Sequence, residues 1–386
     1  MVSSDLGGLH RDQFPILKKK KYLASHSMGA VPLATKVAMQ NYVTDWVDLG
    51  IEAWDGPFWK AIIDFQSLIG GLLGLPGSSV CPTGNVTRAM AGIASCFSYE
   101  GERNRILLSE LEFTTSFPFW HGQVELGAEL VVIPSSDGVG IGLEEFEKEL
   151  DERTLLVVCS HAFFRSGSLC PELQEFTKAI HETGGKLLLD TYQTLGSVPV
   201  PAGEFGVDII VGGCHKWLCG GPGAGFLAVN PNSLPDLIPR LTGWMGLADP
   251  FAYRKDSGRG VPHSTALRFL GGTPSVSALY AARPALELLS GIGVESIRRV
   301  STNLSEYLKE LLLDSGFSLK SPKNPERRNG MLCVELSEGQ KVVEELAKQG
   351  FVLDYRPDCG LRVSPHFYNN AEELLSFVET LASVTK

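Results

Sequence analysis

From about residue 60 to residue 230 the chain alternates short apolar runs with stretches of helical periodicity, the pattern of a mostly parallel sheet covered by helices. Residues 105–109, 130–133, 155–159, 186–190 and 208–212 read as strands, each ending near a polar or small residue. Helices are predicted between them, over 143–150 and 171–183, the second closed by Gly184-Gly185 where a left-handed cap is wanted. Residues 223–229 read as one further strand, antiparallel and at the sheet edge.

After Asn230 the pattern changes to a loop-rich stretch reaching Gly272, then a long helix over 274–289 and a compact α+β tail. In that tail 330–336 and 360–364 read as strands, and Asn370 with Glu373 has the spacing of a capping box for the closing helix. Residues 22–29 read as a strand running into a glycine turn and are assigned to the same second domain. The expected division is a large α/β domain over 46–272 and a small α+β domain built from 1–45 and 273–386. No repeat of 20–50 residues and no low-complexity tract is found.

Length and charge narrow the function classes. The 386 residues allow a sizeable core, and apolar and charged fractions of 44% and 20% are those of a globular protein. With 34 basic and 44 acidic residues the net charge is −10, and the longest basic run, Lys18 to Lys21, is confined to one edge. A nucleic-acid surface is not expected. The opening lacks the apolar core of a signal peptide and no run is long enough for a membrane helix, so the expectation is a cytoplasmic protein without membrane attachment. Eight scattered cysteines form no C-x-x-C pair and no metal-ligand spacing with histidine, which reads as reduced, buried thiols and no metal site.

Candidate chemistry concentrates in Gly212-Gly213-Cys214-His215-Lys216-Trp217, directly after a predicted strand. Open α/β sheets bind ligands beyond the carboxyl ends of their strands, and Lys216 lies just past one. Taken alone it is either a solvated loop lysine or a Schiff-base former. Asp190 ends an otherwise apolar strand, where it either caps the next turn or faces the same crevice to pair with a protonated ring nitrogen. Gly84-Asn85-Val86-Thr87 precedes a helical run over 88–97 and forms either an ordinary cap or an anion site made of free N–H groups. Phe113 follows another strand end, as core or as a stacking ring.

In this order, together with Asp190-x-x-Gln193, His215-Lys216-Trp217 and Gly271-Gly272-Thr273-Pro274, these motifs resemble the class V, fold-type I pyridoxal-phosphate enzymes, the group of cysteine desulfurases and kynureninases. The resemblance runs from Tyr22 to the last helix. His26-Ser27-Met28-Gly29-Ala30-Val31-Pro32, Thr242-Gly243-Trp244 and Gly360-Leu361-Arg362-Val363-Ser364-Pro365 look most like the kynureninase side. It implies a fold-type I architecture with a seven-stranded, mostly parallel sheet, pyridoxal 5'-phosphate as cofactor, an amino-acid substrate and a homodimer. It further implies that Lys216 bonds the cofactor and Asp190 pairs with its pyridine nitrogen. Gln193 would touch the phenolic oxygen, Phe113 would stack on the ring, and Val86, Thr87 and His215 would hold the phosphate. Trp244 and Thr273 would reach in from the second subunit, and Arg362 would bind the substrate α-carboxylate.

Two departures shape the functional expectation. Gln193 and His215 stand where kynureninases have histidine and tyrosine, and Arg165 stands where they keep a catalytic tyrosine, so Arg165 is expected to face the variable side group of the substrate. Cys359 is the cysteine nearest Arg362 and the candidate for a desulfurase nucleophile. The leading expectation is a kynureninase-like lyase or hydrolase cleaving a C–C or C–S bond in the side group of an amino acid. Alternatives are a class V aminotransferase or an amino-acid epimerase, then a cysteine desulfurase or a non-catalytic binding protein.

Overall fold

Residues 7–253 and 258–385 are described by the computed structural model. Seven strands lie side by side in the order β2-β8-β7-β6-β5-β3-β4. They are β2 (Val80–Thr83), β3 (Arg105–Ser109), β4 (Glu129–Ile133), β5 (Thr154–Ser160), β6 (Lys186–Asp190), β7 (Ile209–Gly213) and β8 (Gly225–Val229). From β4 through β7 neighbouring strands are parallel, so their carboxyl ends share one edge of the sheet, while β8 runs antiparallel to both β7 and β2.

Because successive strand residues point to opposite faces, the buried strands feed two cores at once. Leu107, Val157, Leu187, Leu189 and Ile210 enter one core with Ile62, Phe65 and Ile69 of α2 (Pro57–Leu73) and Phe176 and Ile180 of α6 (Leu173–Glu182). Ile106, Leu108, Leu156, Val158 and Leu188 enter the other with Met90 and Ile93 of α3 (Val86–Ala94) and Trp120 of α4 (Ser116–Val124). On the first face α1 (Ala34–Leu49) and α2 both pack on α7 (Val276–Ile292), while α5 (Leu143–Glu147) buries Phe146 against Phe176.

A third core lies between α8 (Val294–Asp314), α9 (Gly339–Lys348), α10 (Ala371–Val384) and a three-stranded antiparallel sheet. That sheet has the order β11 (Asp354–Arg356), β12 (Gly360–Val363), β9 (Leu332–Val334). A separate pair, β1 (Lys21–Tyr22) with β10 (Phe351–Val352), ties the amino-terminal segment to this part. Asn370 and Glu373 do form the capping box of α10.

Three expectations need correction. β8 is not at the edge, because Val80–Thr83, which the pattern hid behind Pro82, pairs along its outer side. The segment 22–29 is strand only at its start; Ala24 bridges Ser364 and the backbone then turns, because it is drawn onto the 215–219 loop. Gly29 donates to the His215 carbonyl at 2.8 Å, and a Cβ there would fall 2.1 Å from the Lys216 carbonyl oxygen, a contact only glycine permits. The strand expected over 330–336 keeps only Leu332–Val334, since Asn329 Oδ1 takes the Met331 N–H. No helix among the described residues is long and apolar enough to cross a membrane.

Candidate functional site

A cavity of about 220 Å³ opens beyond the carboxyl ends of β3, β5, β6 and β7. Each strand delivers something to it. Ser160 ends β5 directly opposite Asp190 at the end of β6, and the turns after β6 and β7 bring Tyr192, Gln193, His215 and Lys216. Asn85 caps α3 by accepting the Arg88 N–H at 3.0 Å; the N–H groups of Val86 and Thr87, two residues that line the cavity, have no intrahelical acceptor. Asn85, Val86, Thr87, Phe113, Asp190, Gln193, His215 and Lys216, far apart in sequence, therefore line one cavity.

Lys216 has no ion-pair partner among the described residues. Its Nζ lies 4.7 Å from the ring centre of Tyr192 and 5.4 Å from that of Phe113. Burial brings its amine down to about 8; Asp190 opposes the shift and Arg362 adds to it. Asp190 is pushed up to about 6 by burial, held back by the Tyr192 N–H that it accepts at 2.8 Å on Oδ1 and by Lys216. No described residue bonds Asp190 Oδ2.

Gln193 is nearly fully committed to the protein. Its Nε2 donates to the His26 carbonyl at 3.1 Å and its Oε1 accepts from Trp217 Nε1 at 3.0 Å, leaving one Nε2–H. His215 Nδ1 lies 2.7 Å from Tyr192 Oη, and burial, with Lys216 adding, brings the imidazole down to about 4.

Arg362 is buried and does not line the cavity. Asp354 takes its fork at 2.9 Å on Oδ1 and 2.6 Å on Oδ2, and its Nη1 donates to the Phe164 carbonyl at 3.1 Å. Asp354 also accepts from His26 Nε2 at 2.8 Å. Although burial opposes it, the His26 bond and the Arg362 guanidinium hold that carboxyl far below the usual carboxylate range. Burial, with Arg362 adding, brings His26 itself down to about 4, so this contact is a hydrogen bond from neutral imidazole and not an ion pair.

Four anticipated residues lie elsewhere. The Arg165 side chain is half-buried, its Nε enclosed without a partner and its Nη1 3.9 Å from the Asp358 carboxylate; its neighbour Phe164, not Arg165, lines the cavity. Trp244 sits on the surface in a cluster with Phe251 and Tyr253. Thr273 lines a separate pocket with Gly84 and Arg88, behind the α3 amino terminus. Cys359 is 1% exposed and burial raises its thiol, although Arg362 and Arg165 pull the other way.

Sequence reasoning missed Tyr192, Phe164, Asp354 and Glu112. Glu112 is buried beneath the cavity floor, with Oε1 accepting the Ser160 N–H at 2.8 Å and Oε2 2.6 Å from Ser160 Oγ. Burial pushes it up to about 8 against those two bonds, so it is mostly protonated at neutral pH. The available signal was its place three residues after a strand that ends in this cavity.

Among the polar groups that the protein leaves unpaired here are an amine, one carboxylate oxygen, one imidazole nitrogen, one amide N–H of Gln193 and two helix-terminal N–H groups, beside the flat ring of Phe113. That set suits a planar, phosphorylated aldehyde with a basic ring nitrogen, and so fits pyridoxal phosphate. Among the described residues no group of three or more histidine, cysteine or acidic residues is placed to hold a metal.

Comparison with known proteins agrees with this reading. The family model described as "Aminotransferase class-V" matches residues 22–377. An uncharacterized aminotransferase, YcbU of Bacillus subtilis (strain 168), is 28% identical over 382 residues, 97% of each sequence. A kynureninase of Geobacillus thermodenitrificans (strain NG80-2) is 27% identical over 97% of this sequence and 90% of its own. Among solved structures, the apo cysteine desulfurase of Thermococcus onnurineus NA1 superposes with a TM-score of 0.86 at 18% identity, covering 100% of this protein and 98% of that one. The cystine C–S lyase C-DES in complex with cysteine persulfide does so with a TM-score of 0.83 at 20% identity, covering 96% and 99%.

Proposed function

Because the protein belongs to the class V aminotransferase family, whose cofactor is pyridoxal phosphate, we propose that it cleaves a C–S or C–C bond in the side group of an α-amino acid. The observation that carries this reading is the unpaired Lys216 amine in one cavity with the bare Oδ2 of Asp190. Pyridoxal phosphate supplies an electron sink for bonds at the substrate's α-carbon.

Within this proposal each residue has one task. Lys216, an amine near 8, keeps a usable neutral fraction at physiological pH, both to bond the cofactor aldehyde and, once released, to take the α-proton. Asp190 holds a proton on the pyridine nitrogen through Oδ2. Phe113 stacks on the ring, the remaining Gln193 Nε2–H faces the phenolic oxygen, and Val86, Thr87 and His215 grip the phosphate. Arg362 has five donors and gives three to protein acceptors, so the last N–H of each Nη is left for a substrate carboxylate. The large domain, 46–272, carries the cofactor, and the small one, 1–45 with 273–386, carries Arg362. Trp244 and Thr273 belong to a homodimer contact in which each copy completes the other's site; light scattering of the active enzyme should give twice the subunit mass of 41.8 kDa.

Cleavage is favoured over the desulfurase route because Cys359, buried and with a raised thiol, is a poor nucleophile as it stands. Transamination is the second reading, supported by the relative that bears that name. Incubating the holoenzyme with cysteine, cystine, kynurenine, aspartate and alanine decides between them. Pyruvate or alanine released over many turnovers without an added keto acid supports cleavage; turnover only when a keto acid is added, with amino transfer to it, overturns it.

A further inference from the structure

Tyr192 lies between the two residues of the β6 turn to which cofactor tasks were given, yet none was given to it. Its ring packs 5.0 Å from that of His215, with Oη 2.7 Å from Nδ1, and both residues line the cavity. The backbone accommodates this phenol at a specific point: a Cβ on Gly213 would fall 2.3 Å from Oη. Any larger residue at 213 would push the hydroxyl off the imidazole.

The direction of the bond follows from the inventory. No other described residue accepts from Tyr192 Oη, and no described residue bonds His215 Nε2. Burial raises the phenol and lowers the imidazole, so both are neutral near pH 7. A neutral phenol donating to Nδ1 leaves the imidazole proton on Nε2, the nitrogen without a protein partner, on a ring that lines the cavity. The reverse arrangement would turn an Nε2 lone pair toward any anion seated at the α3 amino terminus, where it repels. Lys216 is the charged group that faces His215, and its charge disfavours a second proton on the ring.

We propose that Tyr192 is a positioning residue that fixes His215 in the Nε2–H form, so that the imidazole donates to the phosphate monoester of the bound cofactor. The proposal rests on the reading of this cavity as a pyridoxal-phosphate site. It makes His215 a neutral donor that discriminates for phosphate, with the phenol acting only through it.

The test compares the wild type with Tyr192→Phe, His215→Ala and the double variant, each as apoenzyme titrated with pyridoxal phosphate and with pyridoxal. Tyr192→Phe should weaken pyridoxal phosphate on the order of tenfold, the worth of one lost hydrogen bond at an anion, and leave pyridoxal unchanged. In the His215→Ala background it should have no further effect. Nitrogen-15 spectra of histidine in the apoenzyme should show the Nε2–H form for His215 in the wild type and a mixture in Tyr192→Phe, independently of any cofactor. Equal weakening of both ligands, additive losses in the double variant, or an unchanged tautomer would overturn the proposal. A wild type with no preference for the phosphorylated ligand would instead overturn the reading of the cavity itself, and the tyrosine's role with it.

Discussion

Lys216 and Arg362 are treated in opposite ways by the protein around them. Lys216 has no ion-pair partner among the described residues and has its amine lowered to about 8 by burial, whereas Arg362 is gripped by both oxygens of Asp354 and by the Phe164 carbonyl. Removing a charge from water without a partner is costly, so a fold keeps such a group only where something else completes it. The cavity around Lys216, Asp190, His215 and the α3 terminus is electrostatically unfinished, and the cluster around Arg362, Asp354 and His26 is finished. The first leaves charged and polar groups unpaired; the second pairs its charges with one another and holds Arg362 in one orientation.

The largest effects should come from the unfinished side. Lys216→Ala should remove turnover by at least about three decades while leaving the melting temperature unchanged or higher, since a buried unpaired amine is lost. Asp190→Ala should still bind cofactor through the phosphate groups and lose on the order of two decades, roughly 1.4 kcal/mol each. A variant at either position with near-normal kcat/KM would contradict the account.

On the finished side both stability and binding should fall together. Arg362→Ala strands the Asp354 carboxylate, so it should lower stability and weaken every amino acid and carboxylate inhibitor alike by roughly 1.5–3 kcal/mol. Asp354→Asn should raise KM more than it lowers kcat. Arg165→Ala, a change at a half-buried guanidinium 3.9 Å from Asp358, should leave the simple substrates untouched. Measuring KM for an acidic and a neutral amino acid in all three sharpens the contrast; a loss specific to the acidic one in Arg165→Ala would place that guanidinium at the substrate after all.

A smaller effect concerns pH. Only the neutral amine attacks an aldehyde, so the rate of cofactor loading onto apoenzyme should rise about fivefold from pH 7 to pH 8 and level off above about 9. A rate still rising at pH 10 would mean that Lys216 is an ordinary solvated lysine.

The smallest belongs to Glu112, whose carboxyl is raised from 4.5 to about 8 by burial. The folded protein then binds more protons than the unfolded state between those two values, so this group costs stability as pH rises through that window. Glu112→Gln keeps both Ser160 bonds without the ionisation. It should match the wild type near pH 5 and gain on it by a few degrees in Tm toward pH 8.

How far the sequence anticipated this follows from how local each signal is. Asp190 stands out as a charge ending an apolar strand, and Lys216 as the single lysine of a glycine-rich turn, both readable within a few residues. The parallel order of β4 through β7 follows from buried runs separated by helices. Pairings across long separations are invisible in that way: Tyr192 with His215 lies 23 positions apart, and His26 with Asp354 lies 328 apart. β2 was hidden because Pro82 interrupts a four-residue run, and β11 because Asp354, Tyr355 and Arg356 have no apolar alternation. Glu112 lies in the short connection between β3 and α4, and only the packing of distant segments buries it.

Lys216 is the residue proposed to carry the cofactor. Reducing the holoenzyme with borohydride and mapping its peptides should place the cofactor's mass on the fragment that contains Lys216, with Lys216→Ala unlabelled. A label carried only by other lysines, or no label on protein saturated with pyridoxal phosphate, would contradict it.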